Sequence, residues 1–291
     1  MFNANSDHNI MKIKEAIQII KKSFQEGLKL PYIEDLAFIG NASDVYPWNP
    51  TQNIDLDICI IVNSLGYVVG KWLQKVSSKL KNQLANLDIK FEFRIVRGPY
   101  KQTPSKINNP FIFVHGAVFS EETYIKEGAL LRYGWRKYKC IIKRDRLARL
   151  ATSKPNLSEL LFGKKGIEER LECISRGKVI MWERILPDLH WEKLEFGLDS
   201  YLFSEYCLAA GANTARNHAR VLGEKEADFL SNDEFFQWYY NNVFSSHDLN
   251  KLIELKQRVR RKGYFGTIKK SKKYAEKYLT ELRKKIVEIQ I

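Results

Sequence analysis

IEDLAFIGNASDVYPWNPTQNIDLDICIIV, residues 33–62, is the stretch whose reading decides the fold. It opens on an apolar run that ends in glycine (Leu36, Ala37, Phe38, Ile39, Gly40) and passes through a polar loop. It closes on Ile54, Asp55, Leu56, Asp57 and Ile58, which lead into a second apolar run. Successive side chains of a strand point to opposite faces, so Asp55 and Asp57 share one face while Ile54, Leu56 and Ile58 occupy the other. Two carboxylates held side by side repel unless a cation sits between them. A hard divalent ion such as magnesium suits the pair, because it takes one or two protein carboxylates and completes its shell with water and phosphate oxygens. Gly40 at the strand end lets the backbone approach a ligand closely, and free N–H groups of a following helical turn can meet phosphate. The stretch reads as a phosphate-binding turn followed by a metal-binding strand.

A third carboxylate lies further on. Lys90, Phe91, Glu92, Phe93, Arg94, Ile95 and Val96 alternate polar with apolar, the pattern of a half-buried strand, and Glu92 projects from the face opposite its two phenylalanines. Between the two strands Val69, Trp72, Leu73, Val76, Leu80 and Leu84 recur at helical spacing, which predicts strand, helix, strand. An Asp-x-Asp or a lone Glu is common on any solvent-facing strand. The order carries the signal: glycine after an apolar strand, loop, paired aspartates, helix, glutamate, with the three acids expected to converge from neighbouring strands.

In that order the chain resembles the DNA polymerase β-type nucleotidyltransferase superfamily, whose pattern is an apolar residue, Gly, then Gly or Ser, a loop, Asp-apolar-Asp/Glu-apolar, and a later carboxylate on a strand. Ile39-Gly40, Asp55-Leu56-Asp57-Ile58 and Glu92 supply the three parts. Asn41 stands where the family has Gly or Ser, and Ser43 offers a hydroxyl in the same turn. The resemblance implies an α+β fold, a mixed sheet with flanking helices followed by an all-helical C-terminal domain. It implies transfer of a nucleotidyl group, AMP from ATP, from a nucleoside triphosphate to a hydroxyl. Asp55 and Asp57 would bind magnesium, with two ions expected, and Gly40, Asn41 and Ser43 would hold phosphates. Glu92 would bind the second ion or accept the proton of the attacking hydroxyl.

The layout looks like the antibiotic-modifying nucleotidyltransferases, in which a small hydroxylated acceptor lies between a catalytic and a helical domain. The expected boundaries are 1–150 for the catalytic domain and 151–291 for the acceptor domain. Two other readings stay open: transfer to RNA or tRNA by a toxin or end-modifying enzyme, and a catalytically degenerate fold that binds nucleotide or RNA.

Composition narrows the setting. The hydrophobic fraction is 44%, and no apolar run approaches the roughly 20 residues needed to cross a bilayer. Residues 1–9 are polar, so no signal peptide is expected and a cytoplasmic location follows. Cys59, Cys140, Cys173 and Cys207 form no Cys-x-x-Cys pair, and a zinc site has no support. The net charge is +14, and residues 251–291, with fourteen Lys and Arg against four Asp and Glu, carry +10 of it. Such a basic stretch binds RNA, attracts an anionic nucleotide, or keeps the protein soluble.

Elsewhere the spacing predicts an amphipathic helix over 11–28 and a short strand at 110–114. His115 after that strand reads as hydrogen-bonded scaffolding. Trp48, in the loop before Asp55, plugs that loop or stacks on a base. The basic, aromatic run Arg132 to Lys139 suits either RNA contact or a domain junction. From Pro155 the pattern turns helical: Ile167, Leu171 and Ile174 continuing to Ile180 and Ile185, then Leu202 to Leu208, Phe235 to Tyr239, and a closing pair of helices through Leu252 to Val259 and Tyr274 to Ile286.

Overall fold

Strands β1 (Ile33–Ile39) and β2 (Ile54–Val62) run antiparallel, with Ile39 opposite Asp57. The computed structural model describes residues 4–39, 54–97, 110–127, 157–197, 201–224, 230, 232–262 and 267–289. Gly40, Asn41, Ser43, Trp48 and the run from Arg132 to Lys139 lie outside the described residues.

Ile54, Leu56, Ile58, Ile60 and Val62 are buried on one face of β2, as their alternation with Asp55 and Asp57 requires. Helices α1 (Ala4–Gln25) and α2 (Tyr67–Ala85) close that face, placing Ile13, Ile20, Phe24, Leu73, Leu80 and Leu84 in the same cluster. Helix α1 begins earlier than the spacing predicts and tightens into a 3-10 turn at Glu26–Lys29. Gly27 in that turn lies under the indole of Trp72, where a Cβ would come within 2.2 Å of the ring.

Helix α2 leads into β3 (Lys90–Arg97), and β4 (Phe111–Ser120) follows, longer than the predicted strand. Strand β4 pairs in parallel with both β2 and β3, so it fills the position between them. Helices α3 (Glu121–Glu127) and α4 (Leu157–Ser175) come next. After α4 the sequence predicts more helix through Ile180 and Ile185, but the chain forms a hairpin of β5 (Lys178–Ile185) and β6 (His190–Gly197). The physical cause is the period of burial. Val179 and Met181 are buried while Lys178 and Trp182 are exposed, an alternation of two that a helix cannot satisfy. Gly177, at φ +66°, turns the chain out of α4.

Strand β5 pairs antiparallel with β3, giving a six-stranded sheet in the order β1-β2-β4-β3-β5-β6. Two of its strands therefore come from beyond residue 150. The fold is α+β, with a mixed sheet and a helical C-terminal region: α5 (Tyr201–Leu208), α6 (Ala212–Val221), α7 (Asn232–Asn242), α8 (His247–Lys262) and α9 (Ile268–Glu288). These helices bury Phe203, Phe235, Tyr239, Leu249, Tyr278 and Leu282 together with Val96, Val179 and Met181 of the sheet. Among the described residues no helix is long and apolar enough to cross a membrane.

The second face of the sheet is covered unevenly. Tyr124 of α3 packs on Ala37, Cys59 and Ile61 near β1 and β2, and the C-terminal helices cover Val96, Val179 and Met181. Between these two coverings Asp55, Asp57, Glu92, Arg94 and His115 remain half-buried.

Candidate active site

The sheet register assembles two rows on this partly open face. Asp55 of β2 lies beside Phe113 of β4, which lies beside Glu92 of β3; Asp57 lies beside His115, which lies beside Arg94. Residues in register on parallel strands point the same way, so both aspartates and Glu92 share one face, as the sequence predicts. They do not occupy neighbouring strands. The interposed β4 puts Glu92 two strand spacings, about 10 Å, from Asp55. The helical crossover α2 carries the chain past one strand position, and the later strand β4 then fills it.

His115 contacts Asp57 directly. Its Nδ1 donates to Asp57 Oδ1 at 3.2 Å, and its Nε2 donates to the backbone carbonyl of Val96. Both ring nitrogens face acceptors, which only the doubly protonated imidazolium satisfies. Burial alone would lower the pKa of this ring. The hydrogen bond to Asp57, the charges of Asp57 and Asp55, and the Val96 carbonyl outweigh it and raise the pKa to about 9.

Arg94 makes the second charged contact. Its Nε lies 2.8 Å from Glu92 Oε1 and 3.2 Å from Glu183 Oε1, joining β3 to the β5–β6 hairpin. Burial pushes the Glu183 carboxyl above its usual range against the pull of Arg94, and the charges of Glu92 and Glu192 push it further. The sequence reads His115 as hydrogen-bonded scaffolding, and Arg94 and Glu183 carry no signal there. Strand parity placed Arg94 on the Glu92 face, but the partners of all three depend on a strand order that one sequence does not display.

Among the described residues no three His, Cys, Asp or Glu side chains gather into a metal-binding group. Glu92, held by Arg94 on its own strand and separated from the aspartates by β4, does not join them in one ligand set. Asp55 and Asp57 alone are two half-buried carboxylates on one face. That donor set fits a hard divalent cation that keeps most of its shell as water or phosphate oxygen. Cys59 continues their face by parity, but it is fully buried in the α3 cluster and is no ligand.

No family model matches the chain, and no curated protein matches it significantly. Among solved structures it is similar in fold to a spectinomycin adenyltransferase from Enterococcus faecialis, crystallised with ATP and spectinomycin. The TM-score is 0.52 at 12% identity, over 93% of this chain and 99% of that one. The likeness is one of fold alone, and its coverage takes in both the sheet and the C-terminal helices.

Proposed function

We propose that this chain is a metal-dependent nucleotidyltransferase that moves AMP from ATP onto a hydroxyl of a small-molecule acceptor. The observation that carries the reading is the pair Asp55 and Asp57 on one open face of β2, in a fold similar to that of an enzyme crystallised with ATP and an antibiotic acceptor. The two aspartates would hold a magnesium ion, which when bound supplies positive charge at the triphosphate and the departing pyrophosphate. His115 fixes Asp57 through Nδ1 and adds its own positive charge where phosphate charge accumulates. Gly40, Asn41 and Ser43 are the proposed phosphate-binding turn.

Glu92 is assigned the proton. It stands across Phe113 from the aspartates on the same face of the sheet, and Arg94 fixes its orientation. The acceptor oxygen bonds to the α-phosphorus, the bond to the bridging oxygen breaks, pyrophosphate leaves, and the hydroxyl proton passes to Glu92. Glu183 holds Arg94 from the other side and is a positioning residue.

The test is to incubate the protein with magnesium and each of the four α-labelled triphosphates against aminoglycosides, lincosamides, spectinomycin and total RNA. The reading expects label from ATP on a small molecule with stoichiometric pyrophosphate. Label on RNA alone, or on nothing, contradicts it.

A further inference from the structure

The hairpin β5–β6 has a second face, opposite Glu183, on which the proposed chemistry makes no demand. Its antiparallel register sets Trp182 beside Lys193 and Arg184 beside Trp191, so all four side chains share that face. The two indoles are 41% and 38% exposed, and the Arg184 guanidinium lies 4.4 Å from the centre of the Trp191 ring. Lys178 and Lys193 flank them, both bonded to Glu195, so the face carries three cations against one carboxylate. An exposed lysine costs a protein nothing, whereas two indoles on one open sheet face leave a large apolar area in water.

We propose that this face is a stacking platform for single-stranded RNA, with successive bases on Trp182 and Trp191 and backbone phosphates on Arg184 and its flanking lysines. Every base has a π face, so indoles interleaved with cations bind a single strand without reading its sequence. A duplex turns its base faces inward and cannot use them. The net charge of +14, concentrated in residues 251–291, attracts such a polyanion to the molecule.

The other occupants of an open sheet face fit less well. Strand β6 carries His190, Glu192, Lys193 and Glu195, all exposed, and an edge so charged resists pairing with a second copy. The hairpin tip presents Asp188 and His190 to solvent, a polar end poorly suited to entering a lipid surface. Tip residues Leu186 and Leu189 are turned inward onto the α2 cluster.

The experiment measures anisotropy of a fluorescent U-rich 12-nucleotide RNA with the full chain, alongside a duplex of equal length and anionic phosphatidylserine vesicles. Binding of the single strand should weaken steeply as salt rises from roughly 50 to 200 mM. Trp182→Ala and Trp191→Ala should each weaken it by about fivefold to a hundredfold, while Trp182→Phe, which keeps a ring, retains most of it. All three variants should still show the transfer activity of the wild type, which separates failure of this proposal from failure of the functional reading. Absence of RNA binding, equal affinity for the duplex, unchanged affinity in both alanine variants, or loss of binding in Trp182→Phe equal to that in Trp182→Ala would overturn the platform. So would tryptophan-dependent dimerisation or vesicle binding in place of RNA binding.

Discussion

At Asp57 the chain meets the repulsion of a like-charged neighbour by placing an imidazolium against it. The contact from His115 Nδ1 and the anchoring of Nε2 on Val96 leave the ring no other orientation that satisfies both nitrogens. His115→Gln should therefore fold normally yet lower the transfer rate by about tenfold to a hundredfold, the cost usual for losing a partner that orients a metal-binding side chain. A steady-state assay at pH 7.5 that finds full activity would remove His115 from the site.

A second histidine behaves in the opposite way. His218, buried against Tyr239 and near Lys285, is held neutral, with burial as the main cause and a pKa lowered to about 4. Above pH 6.5 the ring is neutral in folded and unfolded chains alike. Between pH 6.5 and 4 the unfolded chain takes up a proton that the fold refuses, so stability falls as the pH falls. Denaturant melts across that window should show a shallower acid decline in His218→Gln than in the wild type, although the variant starts less stable at pH 7.

Among the elements, the β5–β6 hairpin links the two halves of the chain. Its tip rests on α2, where a Cβ at Gly70 would come within 1.7 Å of the Pro187 carbonyl oxygen, and its strand delivers Glu183 to Arg94. Gly70→Ala must lift the tip off the helix. The expected cost is about 1–3 kcal/mol, read as a lower melting temperature, together with a loss of transfer activity as Glu183 moves. Leu80→Ala on the same helix, fully buried among α1, α2 and the sheet, should cost about 2–5 kcal/mol and leave the hairpin seated. Comparing the two by calorimetry and turnover separates loss of packing from loss of position.

The hairpin was also the element least legible in the sequence. Ile180 and Ile185 extend the spacing of Ile167 and Ile174, and only tertiary burial of Val179 and Met181 shows the period to be two. Strands β1 to β3 and helix α2 were legible because their apolar runs, alternation and helical spacing are each local and unbroken. His115, Arg94 and Glu183 could not be grouped, since the register of β4 between β2 and β3 is a long-range property that local patterns do not encode.

For the whole molecule, the sheet binds the halves together. Val96, Val179 and Met181 belong to the helical core although they lie on strands, so an expected division near residue 150 cuts across a continuous sheet. The α+β architecture with a helical C-terminal region was readable from the order of motifs, and the similarity in fold to the spectinomycin adenyltransferase extends over both parts. The charge excess in residues 251–291 falls mainly on α8 and α9.

The measurement that bears most directly on the proposed chemistry is titration calorimetry of a nonhydrolysable ATP analogue with and without magnesium, on the wild type, Asp55→Asn and Asp57→Asn. The account predicts binding that requires magnesium and weakens by about tenfold or more in each variant, with melting temperatures unchanged. Binding equally tight in chelator, or undiminished by either substitution, would contradict it.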